Sequence, residues 1–288
     1  MPPADSFEQH RGYLFGIAYR MLGTVAETED ILQDAFLRWQ RARDGRVQSV
    51  RSYLAAVVTR LCLDHLQSAR ARRESYVGPW LPEPLLTRET EPDAAERAET
   101  LSTAFLVLLQ SLNPVERAVF LLREVFDYDY AEVARIVDKS EANCRQIARR
   151  AREFLSTRRP RFEPSPAQRE ELSRRFAAAC ERGDLPGLVS LLSDEITVWS
   201  DHGGKATAAL NPIHGARNVA RYLLGVRQKF HSEDPIYPVE LNGRPGFLTF
   251  RNGRVNTAVS LEMADGRITG IYVMRNPEKL ARLQHFAE

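Results

Sequence analysis

The chain has 288 residues, 43% hydrophobic and 27% charged, with a formal net charge of +2. That length suits two or three modules of ordinary globular composition, and a near-neutral total by itself indicates no nucleic-acid partner. No apolar run approaches the roughly 20 residues of a membrane span. The start MPPADSFEQHRG lacks an apolar leader core. Three widely spaced cysteines (Cys62, Cys144, Cys180) without a CxxC point to reduced thiols in a cytoplasmic protein and to no metal site.

The distribution of charge says more than its sum. Residues 1–160 carry 23 basic and 23 acidic side chains, sorted into blocks. Residues 36–75 hold nine arginines against Asp44, Asp64 and Glu74, residues 140–161 hold seven against Glu141 and Glu153, and residues 83–99 between them are acidic. Only four of the 40 basic residues are lysine. Two basic patches with an acidic strap between them form a pattern that needs a cause.

In chain order, residues 5–75 read as helical. Thr24 and Glu27 have the spacing of a capping box. It opens a helix whose apolar stripe is Ile31, Leu32, Ala35, Phe36 and Trp39. The opposite face shows Asp30, Gln33, Asp34 and Arg38, which on most helices is a solvated face. The loop RARDGRVQSVR (41–51) is basic, and a second helix spans about 50–73 with Leu54, Val57, Val58 and Leu61 inward. A linker follows at 76–100, rich in proline and containing WLPEP (80–84).

Residues 101–158 are again helical. Asn113-Pro114-Val115-Glu116 supplies an N-cap, a proline at the first helical position and an acid three residues after the cap. DYAEVARIV (129–137), a tight turn Asp138-Lys139-Ser140, and a helix with Cys144, Ile147, Ala148 and Ala151 inward then form a helix-turn-helix pattern. Arg145, Gln146, Arg149, Arg150 and Arg152 occupy the outer face. Read as nucleic-acid-binding, that face competes with a plain helical hairpin bearing solvated arginines. Turn length and placement of polar residues favour DNA.

PRFEPSP marks a stiff linker at 159–166. Residues 167–288 then mix helices with strands: helices at 166–182 and about 184–193, the strand EITVWSD, a helix near 215–230, and four strands in meander order. The strands are separated by Asn242-Gly243, Asn252-Gly253 and Asp265-Gly266. In VNTAVSLEM, Val255, Thr257, Val259, Leu261 and Met263 alternate with Asn256, Ala258, Ser260 and Glu262, so one face is expected to be buried and the other wetter. The fold class is multi-domain: two all-α domains and an α+β cone enclosing a pocket.

The stretches YRMLGTVAETEDILQDAFLRWQ, RSYLAAVVTRLCLDHLQSARARRE and LNPVERAVFLLREVFDYDYAEVARIV resemble regions 2 and 4 of extracytoplasmic-function sigma factors. The carboxy-terminal part resembles the SnoaL-like cone domains. WLPEP, DHGGK (201–205) and NPEKL (276–280) link the chain to the sigma subfamily carrying such a fused domain, although that subfamily has glycine at His202 and aspartate at Glu278. The resemblance implies a sigma factor that binds core RNA polymerase and promoter DNA. It implies no cofactor, no enzymatic activity, no membrane, and no separate anti-sigma factor. By the resemblance, Asp30, Gln33, Asp34 and Arg38 dock on polymerase, and Arg46 and Arg51 hold the −10 strand. Arg145 and Gln146 would reach base edges of the −35 element, with Arg149, Arg150 and Arg152 on phosphates.

Four readings compete for the SDHGGK loop. Asp201 and His202 could form an acid–base pair at the cone's mouth, as an enzyme would. The cone could hold a small-molecule ligand, with Trp199 and Tyr272 as walls. The loop could be a latch in which Asp201, His202, Gly203, Gly204 and Lys205, with Asn276, Pro277 and Glu278, grip Trp80, Leu81, Pro82, Glu83 and Pro84. Or it could be a plain connecting loop. The latch is favoured because a tryptophan between apolar and proline neighbours is a ready anchor. A one-component helix-turn-helix regulator with a ligand-binding domain is the alternative function, and it leaves the 30–38 face unexplained.

Overall fold

In a computed structural model of the chain, residues 4–41, 49–74, 76–87, 101–156, 164–229 and 236–287 are described. They divide into two compact units, residues 1–74 with 106–159, and residues 75–105 with 160–288. Residues 76–87, the described part of the segment expected as a linker, are therefore grouped with the carboxy-terminal domain.

The first unit is all-α. Helices α1 (Ala4–Glu8), α2 (Arg11–Leu22), α3 (Val25–Arg41) and α4 (Val50–Glu74) come first. Ile31, Leu32, Ala35 and Trp39 of α3 are buried as its period requires, and Phe36 meets Phe7 edge-on at 5.2 Å. At the start of α3 the Thr24 hydroxyl donates to the Glu27 carboxylate at 2.6 Å, joining the two residues whose spacing suggested a cap. From residue 106 the unit continues through the rest of α5 (Thr103–Gln110), α6 (Pro114–Phe120), a π-helical turn at Leu121–Val125, α7 (Tyr130–Val137) and α8 (Glu141–Ser156). Asn113 and Glu116 do close a full capping box on α6. Asp138 ends α7 with φ 54°, and its N–H returns to the Ala134 carbonyl. Aspartate tolerates that left-handed conformation better than most residues, and it sets the abrupt turn into α8.

The two helical regions pack on each other within this unit. Arg60 of α4 donates from Nε to the Ile136 carbonyl at 3.1 Å and from Nη2 to the Arg135 carbonyl at 2.7 Å. These are last-turn acceptors of α7, where a cation is favoured. Ser52 donates to Glu132 at 3.1 Å, and Tyr13 to Tyr128 at 2.8 Å. The buried Arg117 donates to the Met21 carbonyl.

The second unit is α+β. Helices α9 (Pro166–Arg182) and α10 (Leu185–Leu191) lead directly into β1 (Leu192–Asp201), a strand that starts three residues before the expected EITVWSD. β2 (Ile213–His214), α11 (Ala216–Lys229), β3 (Ile236–Leu241), β4 (Arg244–Arg251), β5 (Arg254–Ala264) and β6 (Arg267–Met274) follow, then a 3-10 helix at Ala281–Ala287. The sheet order is β2-β1-β6-β5-β4-β3, with β1 parallel to β6 and every other pairing antiparallel. The three hairpin dipeptides all lie at positive φ, Asn242 and Gly243 at 53° and 70° for example, as two-residue primed turns require.

The expected wet face of β5 is in fact covered: Ala258, Ser260 and Glu262 are all buried. Residues 76–87 account for part of this. Tyr76 and Leu81 are fixed at the end of β1. Leu85–Thr87 bond to the far edge of the sheet, with Leu86 bridging Leu241 and Asn242 bonding the Leu85 carbonyl at 2.8 Å. Alternation along β5 could not reveal a covering segment that lies so far upstream in sequence. On the opposite face Thr257 and Val259 are only half-buried, because they open onto a cavity.

Candidate functional site

Asp201 ends β1, and its backbone carbonyl accepts from the amides of Arg275 and Asn276, at 2.7 and 3.0 Å, just past β6. Its carboxylate is wholly buried and takes three donors. Oδ1 accepts from the Tyr76 hydroxyl at 2.5 Å, and Oδ2 accepts from the Leu81 amide and from Lys279 Nζ, both at 2.8 Å. Lys279 Nζ also donates to the Leu81 carbonyl at 2.6 Å and lies 4.1 Å from the centre of the Trp80 ring. The ammonium is thus held by a carboxylate, a carbonyl and an aromatic face. Burial, then the Asp201 hydrogen bond and charge, push the Tyr76 phenol well above its ordinary pKa, so it stays a proton donor to the carboxylate.

Asn276 sets the geometry of this corner. Its Oδ1 accepts from the Glu278 amide at 3.1 Å, an Asx turn that presents Lys279 inward. Its Nδ2 donates to the Tyr76 hydroxyl at 2.8 Å. Gly203 and Gly204 both have positive φ, and a Cβ on Gly203 would meet Asn276 Nδ2 at 2.5 Å. His202 is absent from the left-handed region, so the change from the subfamily glycine strains nothing in the backbone. Instead its ring is buried, Nδ1 accepting from the Gly204 amide at 3.1 Å and Nε2 facing Gly78. Lys205 pairs with Glu278 at the surface, and Pro277 is exposed. Leu81, Pro82, Glu83 and Pro84 are buried.

Two participants in this corner were not among the expected contacts: Tyr76, just before WLPEP, and Lys279, inside NPEKL. A signal for Lys279 existed. In a chain whose basic residues are overwhelmingly arginine, two of the four lysines fall in the DHGGK and NPEKL motifs. A compact ammonium suits a site too tight for a guanidinium fork.

Trp199 and Tyr272 do not line the cavity. They stack on each other, centroids 5.0 Å apart and 7° from parallel, as a register pair of β1 and β6. Alternation puts them opposite Val273, which does face the cavity. Asp201 likewise lies away from the cavity with its oxygens occupied, so the acid–base pair at a cone mouth is not formed.

In the first unit, Asp30, Gln33, Asp34 and Arg38 are all exposed on one face of α3, with Leu37 exposed among them. Arg51 is exposed and lies 4.1 Å over the Tyr13 ring; Arg46 falls outside the described residues. Arg145, Gln146, Arg149, Arg150 and Arg152 are exposed along α8. Arg145 pairs with Glu141 at 2.8 Å and Arg149 with Glu153 at 3.0 Å, surface pairs that phosphates can displace. Arg152 is held differently, by a two-pronged contact with Glu124 at 2.6 and 3.2 Å.

Residues 6–72 match the family described as Sigma-70 region 2, and residues 102–155 match Sigma-70, region 4. The chain is therefore built on the two promoter-reading regions of a sigma factor. It is 37% identical to the ECF RNA polymerase sigma factor SigJ of Mycobacterium tuberculosis strain H37Rv, over 96% of this chain and 92% of the relative. It is 32% identical to the probable ECF RNA polymerase sigma factor SigI of M. tuberculosis strain CDC 1551, over 98% and 96%. The crystal structure of M. tuberculosis SigJ matches with a TM-score of 0.78 and 34% identity, covering 97% of this chain and 98% of that one. The chain belongs to the ECF RNA polymerase sigma factor family, whose members direct promoter recognition and transcription initiation. No helix among the described residues is long and apolar enough to cross a membrane.

Proposed function

We propose that this sigma factor is controlled in cis by its carboxy-terminal α+β domain, through the segment that connects regions 2 and 4. The observation carrying the reading is the Asp201–Lys279 pair closed around both backbone groups of Leu81. Region 2 would read the −10 element and region 4 the −35 element. Those elements lie about 25 base pairs apart, roughly 85 Å at about 3.4 Å per base pair. Arg60 holds the two regions at hydrogen-bond distance, so engaging both elements requires them to part, and the connecting segment must then extend. A clamp on that segment opposes the opening without touching DNA. Tethering keeps it at roughly millimolar effective concentration, which makes a separate anti-sigma factor unnecessary. On this reading the protein acts where RNA polymerase and promoters are, and has no enzymatic role.

Run-off transcription with core polymerase tests the reading. Full-length protein, full-length Asp201→Ala and a truncation ending near Arg161 are compared on a cognate promoter. Stronger transcription from both altered forms supports a restraining clamp. A dead truncation beside active full-length protein would show that the domain helps build the active complex. Core polymerase binding separates either outcome from a one-component regulator.

A further inference from the structure

The α+β domain contains a cavity of about 350 Å³ between the inner face of the sheet and helices α9 and α11. That lies at the lower end of the roughly 300–1,000 Å³ over which small-molecule pockets range. Its body is apolar, with Phe176, Leu223, Phe247, Val259 and Val273. Phe247, Val259 and Val273 are successive register partners across β4, β5 and β6, which makes a continuous hydrocarbon floor. Beside that row, Thr249 and Thr257 pair across β4 and β5 and line the same cavity. Neither threonine hydroxyl has a hydrogen-bond partner among the described residues.

The cations of the wall are accounted for without a ligand. Arg275 donates from Nη1 to the Thr207 carbonyl and from Nη2 to Asn256 Oδ1 at 3.2 Å. Lys229 and Arg251 also have partners, and Arg227 shares with Lys229 the last turn of α11, where a cation complements the helix carbonyls. A charged ligand would lose its hydration on the apolar floor with no dedicated counter-ion to replace it. We propose that this cavity is a binding site for a compact uncharged alcohol or ketone, its hydrocarbon on the Phe247–Val259–Val273 floor and its oxygen on the Thr249–Thr257 hydroxyls. The volume corresponds to about a dozen groups at the roughly 30 Å³ each occupied by a water in the liquid, which admits a ligand of about ten non-hydrogen atoms. A threonine hydroxyl both donates and accepts, so the pair can meet either kind of oxygen. A bare hydrocarbon would leave both hydroxyls unmatched, and a sugar-like polyol would make no use of the floor. The site stands independently of the clamp, because the cavity and the Asp201 corner lie on opposite faces of the sheet.

Calorimetric titration of the full-length protein with octan-1-ol, octanoate and octylamine tests this. Octan-1-ol should bind at least tenfold more tightly than either charged analogue. Val259→Phe fills the cavity from its floor and should weaken octan-1-ol at least tenfold in a protein that still melts cooperatively. Thr249→Val combined with Thr257→Val keeps the volume, removes both hydroxyls and should weaken octan-1-ol about fivefold, the share of one net hydrogen bond. If Val259→Phe is too crowded to fold, the threonine variant still decides. No heat with octan-1-ol, octanoate or octylamine bound as tightly as octan-1-ol, or wild-type octan-1-ol affinity in either folded variant would each overturn the proposal.

Discussion

The carboxylate of Asp201 accepts a hydrogen bond from the backbone amide of Leu81 at 2.8 Å, across 120 positions of sequence. The same carboxylate neutralises Lys279, whose side chain is 9% exposed. Asp201→Ala therefore strands a buried ammonium, and loss of one partner of such a pair costs about 3–5 kcal/mol. Chemical denaturation should show that loss, and amide exchange at Leu81 should accelerate. Asp201→Ala combined with Lys279→Met removes both charges and should recover much of the stability while Leu81 exchange stays fast. If the double variant is no more stable than the single one, the ion pair is not what holds the corner.

Gly203 and Gly253 separate backbone strain from packing. Both have positive φ, but a Cβ at Gly253 meets open space whereas one at Gly203 collides with Asn276. Gly253→Ala should cost about 1 kcal/mol from the left-handed conformation alone. Gly203→Ala should cost clearly more and should also speed amide exchange in residues 76–87. Equal destabilisation of the two variants would remove Gly203 from the contact.

On α8, the contacts divide the arginines. Loss of Arg150 should weaken promoter binding about equally for all sequences and flatten the salt dependence by about one phosphate's share, a slope of about 0.9. Gln146→Ala should instead cost about 1–3 kcal/mol at one base position only. Arg152, already engaged by Glu124, should matter less than Arg150. Fluorescence anisotropy on matched and single-mismatch duplexes at several salt concentrations reads all three effects.

The cysteines should be silent. All three are buried and free, and burial pushes the Cys180 thiol up to about 12. A raised thiol pKa means that the reactive thiolate is scarce below it. At pH 8 the native protein should therefore react negligibly with a disulfide reagent, and the denatured chain should release three equivalents. A fast-reacting thiol in the native protein would contradict this burial.

Much of the all-α half was legible because local rules dominate it. The helical period of α3, the Asn113–Glu116 cap and the Asp138 turn are each decided within a few residues. The α+β half was legible in its strands and hairpins but not in its faces. Alternation along β5 shows that two faces exist. Which one meets the cavity depends on where α9 and α11 pack, and that is why period-2 alternation does not place Trp199 and Tyr272 on the side away from it. The convergence of WLPEP, DHGGK and NPEKL was suggested by the family resemblance and by Trp80 as an apolar anchor beside proline. Tyr76 and Lys279 emerged only once the strand ends had brought Asp201 beside them.

The span of the Tyr76–Asn276 contact, 200 residues, also sets an order of events on the ribosome. At about 5–20 residues per second, synthesis of the intervening chain takes roughly 10–40 seconds. Regions 2 and 4 emerge and fold first during that interval, while Asn276 and Lys279 have yet to be made. Every newly made molecule thus passes through a period in which its connecting segment has no Lys279 to close on it, and in that period the proposed restraint is not yet in place.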